Sequence, residues 1–134
     1  MALMTWNDSF SVNVREIDLQ HQRLIEMLNK FYDHVGTDLE QALRTLLNSL
    51  VEYTQYHFST EEKYFAKFGY PEAKSHTDTH RMFTDKVLDV KSRVEKGRLV
   101  ISVEITNFLK DWLTHHIKGA DKAYGKCFND NGLF

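Results

Sequence analysis

Seven histidines stand in this chain of 134 residues, and five of them interrupt apolar stripes that recur at helical spacing. His57 and Glu61 are four apart, so they project from one face of a helix one turn apart, and His76 and His80 repeat that arrangement. His21 lies on an earlier stripe, His116 ends a later one, and Asp121 follows five residues on. An unpaired imidazole or carboxylate inside a helical core is costly, so such groups must neutralise one another or hold a metal. Imidazoles and carboxylates without thiolates suit iron, manganese or zinc. The other two histidines behave differently. His34 falls roughly 220° around its helix from His21, and His115 is turned about 100° from His116, so both are expected to face solvent.

The elements that must position these groups follow from period and punctuation. An arm without clean periodicity runs to about Ile17. Asp18 is a candidate N-cap for a helix reaching about Val35, with Gly36 as its stop and His21, Leu24, Leu28, Phe31 and Val35 on one face. Thr37 with Glu40 forms a capping-box pattern opening a second helix, whose seam is Leu43, Leu47, Leu50, Thr54, His57, Glu61 and Phe68. Gly69-Tyr70-Pro71 breaks it and places Pro71 in the first turn of a third. That helix carries His76, His80, Phe83, Val87, Val90 and Val94 and closes at Gly97. A fourth, from Ile101 or Ser102, carries Ile105, Phe108, Leu109, Trp112 and His116 and reaches Gly119. Five residues overshoot one helical face by about 140°, so Gly119 is expected to let the chain bend toward Asp121. Tyr124, Phe128 and Phe134 should pack the remaining tail down.

Long helices with short connections must alternate in direction, which gives an all-α, up-down-up-down antiparallel four-helix bundle with an N-terminal arm and a short C-terminal segment. In that packing His21, the His57/Glu61 pair, the His76/His80 pair and His116 all fall at one end. Five imidazoles, two bridging carboxylates and one bridging solvent oxygen then fill all but one position of two octahedral ions. A small molecule could bind at the open one.

The chain resembles the hemerythrin family, in its single-domain bacterial form, over essentially residues 1–134. The motifs that carry the resemblance are Trp6, Phe10, Val14 and Ile17-Asp18-x-Gln20-His21; His57-Phe58-x-x-Glu61-Glu62; His76-x-x-x-His80; and Trp112-Leu113-x-x-His116-Ile117-x-x-x-Asp121. The resemblance implies two iron ions, one on His76, His80 and His116 and one on His21 and His57. Glu61, Asp121 and an oxo or hydroxo group would bridge them, and the open position would fall on the iron with two histidines. It also implies that Leu24, Phe58, Trp112, Leu113 and Ile117 wall an oxygen pocket, although plain core packing would place the same residues there. Trp6 reads as a packing anchor, Asp18 as a cap that could also support His21, and Glu62 as solvated.

The implied function is reversible binding of dioxygen, for carriage, storage or delivery, and not an enzymatic reaction. The alternatives are a di-iron peroxidase, oxidase or nitric-oxide-handling enzyme, or an oxygen sensor working through a separate partner. Bulk properties narrow the partners. A net charge of -2 with 27% charged residues supplies no basic field for nucleic acid. No apolar run is long enough for a membrane segment, and Met1 to Trp6 has neither the basic nor the apolar part of a signal peptide. One cysteine, Cys127, excludes an internal disulfide. A cytoplasmic monomer is expected, with an oxygen-consuming enzyme as the kind of protein it could serve.

Overall fold

The computed structural model describes residues 3–33, 39–97 and 102–134. Four long helices form the antiparallel bundle: α1 (Arg15–Asp33), α2 (Leu39–Phe68), α3 (Ala73–Glu95) and α4 (Ser102–His115). The fourth does not stop at its last α-helical turn. It widens into a π-helical segment, His116–Asp121, and continues as α5, Lys122–Asp130. Each stripe read from the sequence faces inward: Leu24, Leu28 and Phe31 on α1, Leu43, Leu47 and Leu50 on α2, Phe83, Val87 and Val90 on α3, and Ile105 and Leu109 on α4 are buried. Burying one such side chain stabilises by about 1.5–3 kcal/mol before entropy is counted. Gly69, at φ +62°, ends α2, and the Tyr70 N–H reaches back to the Phe65 carbonyl at 3.0 Å, a left-handed cap that favours glycine.

Several expectations are corrected. α1 begins at Arg15 rather than after Asp18, because the Asp18 N–H already donates to the Val14 carbonyl at 2.9 Å. Asp18 caps the arm instead: its carboxylate accepts from Ser11 Oγ–H at 2.6 Å and from the Val12 N–H at 2.9 Å. The arm is not wholly extended, since Asp8–Phe10 forms one 3-10 turn in which the Ser9 N–H donates to Asn7 Oδ1. Pro71 precedes α3 rather than sitting in its first turn. Among the tail aromatics Tyr124 and Phe128 are fully buried, whereas Phe134 is exposed. The expectations placed on His34, Val35, Gly36, Thr37 and Ile101 lie outside the described residues.

The core divides in two. The larger part fills the bundle between α1, α2, α3 and α4. The smaller joins the arm (Val12, Val14), Ile17, the end of α2 (Tyr64, Phe65) and α5 (Tyr124, Phe128). α5 packs closely on the arm at Gly125, where a Cβ would lie 2.5 Å from the Val12 carbonyl oxygen. The polar cluster sits between these two parts.

Candidate metal centre

All seven residues singled out for metal binding are buried and converge: His21 from α1, His57 and Glu61 from α2, His76 and His80 from α3, and His116 and Asp121 from the π segment. Antiparallel packing brings the ends together, and the i→i+4 pairs put both members of each helix on the inner face. Asp121 needs a different device. Gly119 makes no bend; the backbone keeps turning, but with hydrogen bonds such as Lys122 N–H to the Ile117 carbonyl, five residues back. In a π turn, residues five apart stack one above the other, so Asp121 Oδ1 comes within 3.0 Å of His116 Nε2.

The donor atoms fall into two overlapping groups, His76, His80, His116 and Asp121, and His21, His57, Glu61 and Asp121; within each, one ligand atom per residue lies within 4.8 Å of the others. Asp121 belongs to both, with Oδ1 2.8 Å from His76 Nε2 and Oδ2 2.9 Å from His21 Nε2. Glu61 also spans them, because its Oε1 is 2.9 Å from His57 Nε2 and 3.5 Å from His80 Nε2. Nε2 of His21, His76, His80 and His116 and all four oxygens of Glu61 and Asp121 are buried without a hydrogen-bond partner. Buried polar atoms are almost always satisfied, so this many orphans at one point mark missing partners. A pair of divalent cations of the borderline kind fits that donor set.

The electrostatics differ from one candidate ligand to the next. Burial, reinforced by His76 and His116, pushes His80 down from its usual 6.5 to about 2, so it is a neutral imidazole with a free lone pair. Burial would also lower His57, but the Glu61 carboxylate beside it outweighs that and raises it. Burial opposes ionisation of Asp121, yet His116, His21 and His76 hold its carboxyl well below the usual range.

A surrounding shell orients the ligands, and sequence reasoning missed most of it. His57 Nδ1 donates to Gln20 Oε1 at 2.6 Å, and His80 Nδ1 donates to Glu62 Oε2 at 3.1 Å. Glu62 is therefore half-buried against a candidate ligand rather than simply solvated; the 100° offset from Glu61 turns it toward α3, not away from the protein. Asp18 gives His21 no support, since its oxygens serve the arm and His21 Nδ1 is unpartnered. The clearest miss is Tyr124. It is fully buried, its ring lies 5.5 Å from that of His76, and its hydroxyl makes no hydrogen bond of ordinary geometry. Burial first, then the charges of Glu61 and Asp121, push its phenol well above the usual value. Its position three residues after Asp121 was the available signal.

Of the expected pocket residues, Leu24, Phe58, Leu113 and Ile117 are buried and Trp112 is packed against them. Phe58 stacks on His80 at 3.8 Å and 6°, and Trp112 on His116 at 4.2 Å and 14°. The outward assignment of His115 holds: it is exposed, with Nδ1 2.8 Å from the Asp111 carbonyl.

Comparison with known proteins identifies the family. Residues 12–127 match the model of the hemerythrin HHE cation binding domain. A bacteriohemerythrin of Methylococcus capsulatus is 33% identical over 96% of this chain and 99% of its own, and one of Stenotrophomonas maltophilia is 36% identical over 92% and 80%. A wild-type hemerythrin crystal structure superposes with a TM-score of 0.88 at 33% identity, covering 94% of this chain and 98% of that one. With its bundle, its paired histidine and carboxylate groups and these relatives, the chain belongs to the hemerythrin family.

Proposed function

We propose that this protein binds dioxygen reversibly at two iron ions, one held by His76, His80 and His116, the other by His21 and His57, with Glu61 and Asp121 shared between them. The observation that carries this reading is the pair of overlapping donor groups joined through Asp121, in which Nε2 of four histidines and all four carboxylate oxygens are buried and unsatisfied. The bacteriohemerythrin relatives support iron over other borderline metals. When bound, such an iron pair with an oxo or hydroxo bridge supplies the two electrons that oxygen binding draws on and that release returns.

The chain's own residues set the conditions for return. Five imidazoles against two carboxylates make a donor set suited to reduced ions, unlike the carboxylate-rich Glu-x-x-His bundles. Leu24, one turn after His21, and Leu113 and Ile117, on either side of His116 in the chain, are buried hydrocarbon, and Phe58 and Trp112 cover His80 and His116 with aromatic faces. Such a wall excludes water and offers no strong proton donor apart from the Trp112 indole N–H. Binding and release without consumption is the expected outcome, for carriage, storage or delivery.

The test is metal analysis, followed by anaerobic reduction and titration with oxygen in a spectrometer. Two irons per chain and an absorption change that reverses under argon support the reading. A single metal, zinc without any response to oxygen, or steady oxygen consumption with a reductant would each overturn it.

A further inference from the structure

The candidate ligands are not supported alike. His57 Nδ1 leans on the neutral amide oxygen of Gln20, 2.6 Å away and buried. His80 Nδ1 leans on a carboxylate, Glu62 Oε2, at 3.1 Å, with the Glu62 side chain 38% exposed. His21 Nδ1 has no partner. A hydrogen bond from one ring nitrogen fixes the tautomer and leaves the other nitrogen's lone pair for a metal, and a charged acceptor also pushes electron density onto the ring. The contrast is therefore electronic as well as geometric: carboxylate support falls on the three-histidine group and amide support on the two-histidine group.

We propose that Glu62, one residue beyond the shared carboxylate and not itself a ligand, is the positioning residue for His80: it holds the Nδ1–H tautomer, aims Nε2 at the cluster, and biases the three-histidine metal toward its oxidised state. The geometry fits, because His80 Nε2 is left buried and unpartnered while Nδ1 is satisfied, and Phe58 stacked at 3.8 Å holds the ring plane. Gln20 performs only the geometric half of this task for His57. The redox half rests on the di-iron reading given above; the tautomer half does not.

Three measurements on the full chain separate these halves. In metal-free protein labelled with 15N, imidazole shifts report which nitrogen of His80 carries the proton. Glu62→Ala should move His80 toward a mixture of tautomers, Glu62→Gln should keep the parent tautomer through its amide oxygen, and Gln20→Ala should disturb His57 instead. Zinc affinity measured by competition with a chromophoric chelator should fall about 10–100-fold in Glu62→Ala and recover substantially in Glu62→Gln. In iron-loaded protein, redox titration should place both Glu62 variants at a higher potential than the parent, Glu62→Gln included, because both lack the charge. An unchanged His80 tautomer and zinc affinity in Glu62→Ala would overturn the positioning role. A parent-like potential in Glu62→Gln would overturn the redox bias alone. If the parent holds no iron pair, the proposed oxygen function fails while the tautomer and zinc results still decide the role of Glu62.

Discussion

Replacing Gly125 with alanine tests whether the arm is as tightly fastened over the candidate metal centre as the contacts require. The added Cβ would sit 2.5 Å from the Val12 carbonyl oxygen, about 0.9 Å short of the 3.4 Å at which ordinary contact begins. Val12 cannot easily retreat. Its N–H is held by Asp18, its side chain is buried, and the next residue, Asn13, sits at φ +63° with its carbonyl accepting from Asn129 Nδ2 at 3.0 Å. Either the arm gives up these contacts or α5 shifts and carries Tyr124 with it. Overpacking of this kind costs about 1–3 kcal/mol, and a lost Val12–Asp18 hydrogen bond to a charged acceptor adds about 1.5 kcal/mol or more. Alanine returns about 1 kcal/mol of helix propensity. The expected balance is a loss of about 1.5–3.5 kcal/mol, or roughly 6–14 °C in Tm for a chain of this size. The internal control is Gly119→Ala, where the new Cβ meets nothing within 4 Å and stability should hold or rise. Thermal and urea melts of the metal-free forms, compared so that metal binding adds nothing, read both. A Gly125→Ala protein as stable as the parent would refute the fastened arm.

The remaining expectations concern the centre itself. Because Asp121 joins both donor groups, Asp121→Ala should lose both metals on metal analysis, whereas His80→Ala should impair one group and the exposed His115→Ala neither; iron loss in the His115 variant would reverse the choice between the adjacent histidines. Leu113→Ser should keep two irons yet shorten the lifetime of the oxygen-loaded absorption spectrum, with Leu113→Met much closer to the parent; equal lifetimes would make these residues ordinary core. For metal-free protein, His80 lowered to about 2 means that the unfolded chain takes up a proton near its usual 6.5 while the folded one does not. The His80 contribution is thus present above about 6.5 and is lost progressively as pH falls toward about 2. Urea melts across that window should show a shallower pH slope in His80→Ala, and an unchanged slope would contradict the neutral assignment.

What could be read in advance depended on whether an element obeys α-helical geometry throughout. The stripes on α1, α2, α3 and α4 do, so the inward histidines and Glu61 were visible as polar interruptions at the right level. Gln20 and Glu62 were harder, because each lies off its own helix's seam. Their side chains matter through reach to a neighbouring helix, Gln20 from α1 to His57 and Glu62 from α2 to His80. Asp18 showed a chemically sound capping residue one turn late. The same carboxylate can accept from a helix start or from a preceding loop, and only the position of Ser11 and Val12 decides between them.

The π segment explains the largest remaining gap, and it ties the functional end together. At about 100° per residue, Asp121 would point some 140° away from His116, and Ala120 would take its place over the site. Accommodating one extra residue in the turn restores the phase, and single π turns within α-helices recur at functional sites for this reason. Everything after the turn inherits the new register. Asp121 reaches His21, His76 and His116, Tyr124 comes to lie beside His76 one turn later, and Gly125 faces the Val12 backbone where no side chain fits. A tail read with α-helical phase therefore shows only aromatics that pack it down. With the phase shifted by one residue it supplies the shared carboxylate, the buried hydroxyl behind the histidines, and the seat for the arm that closes them in.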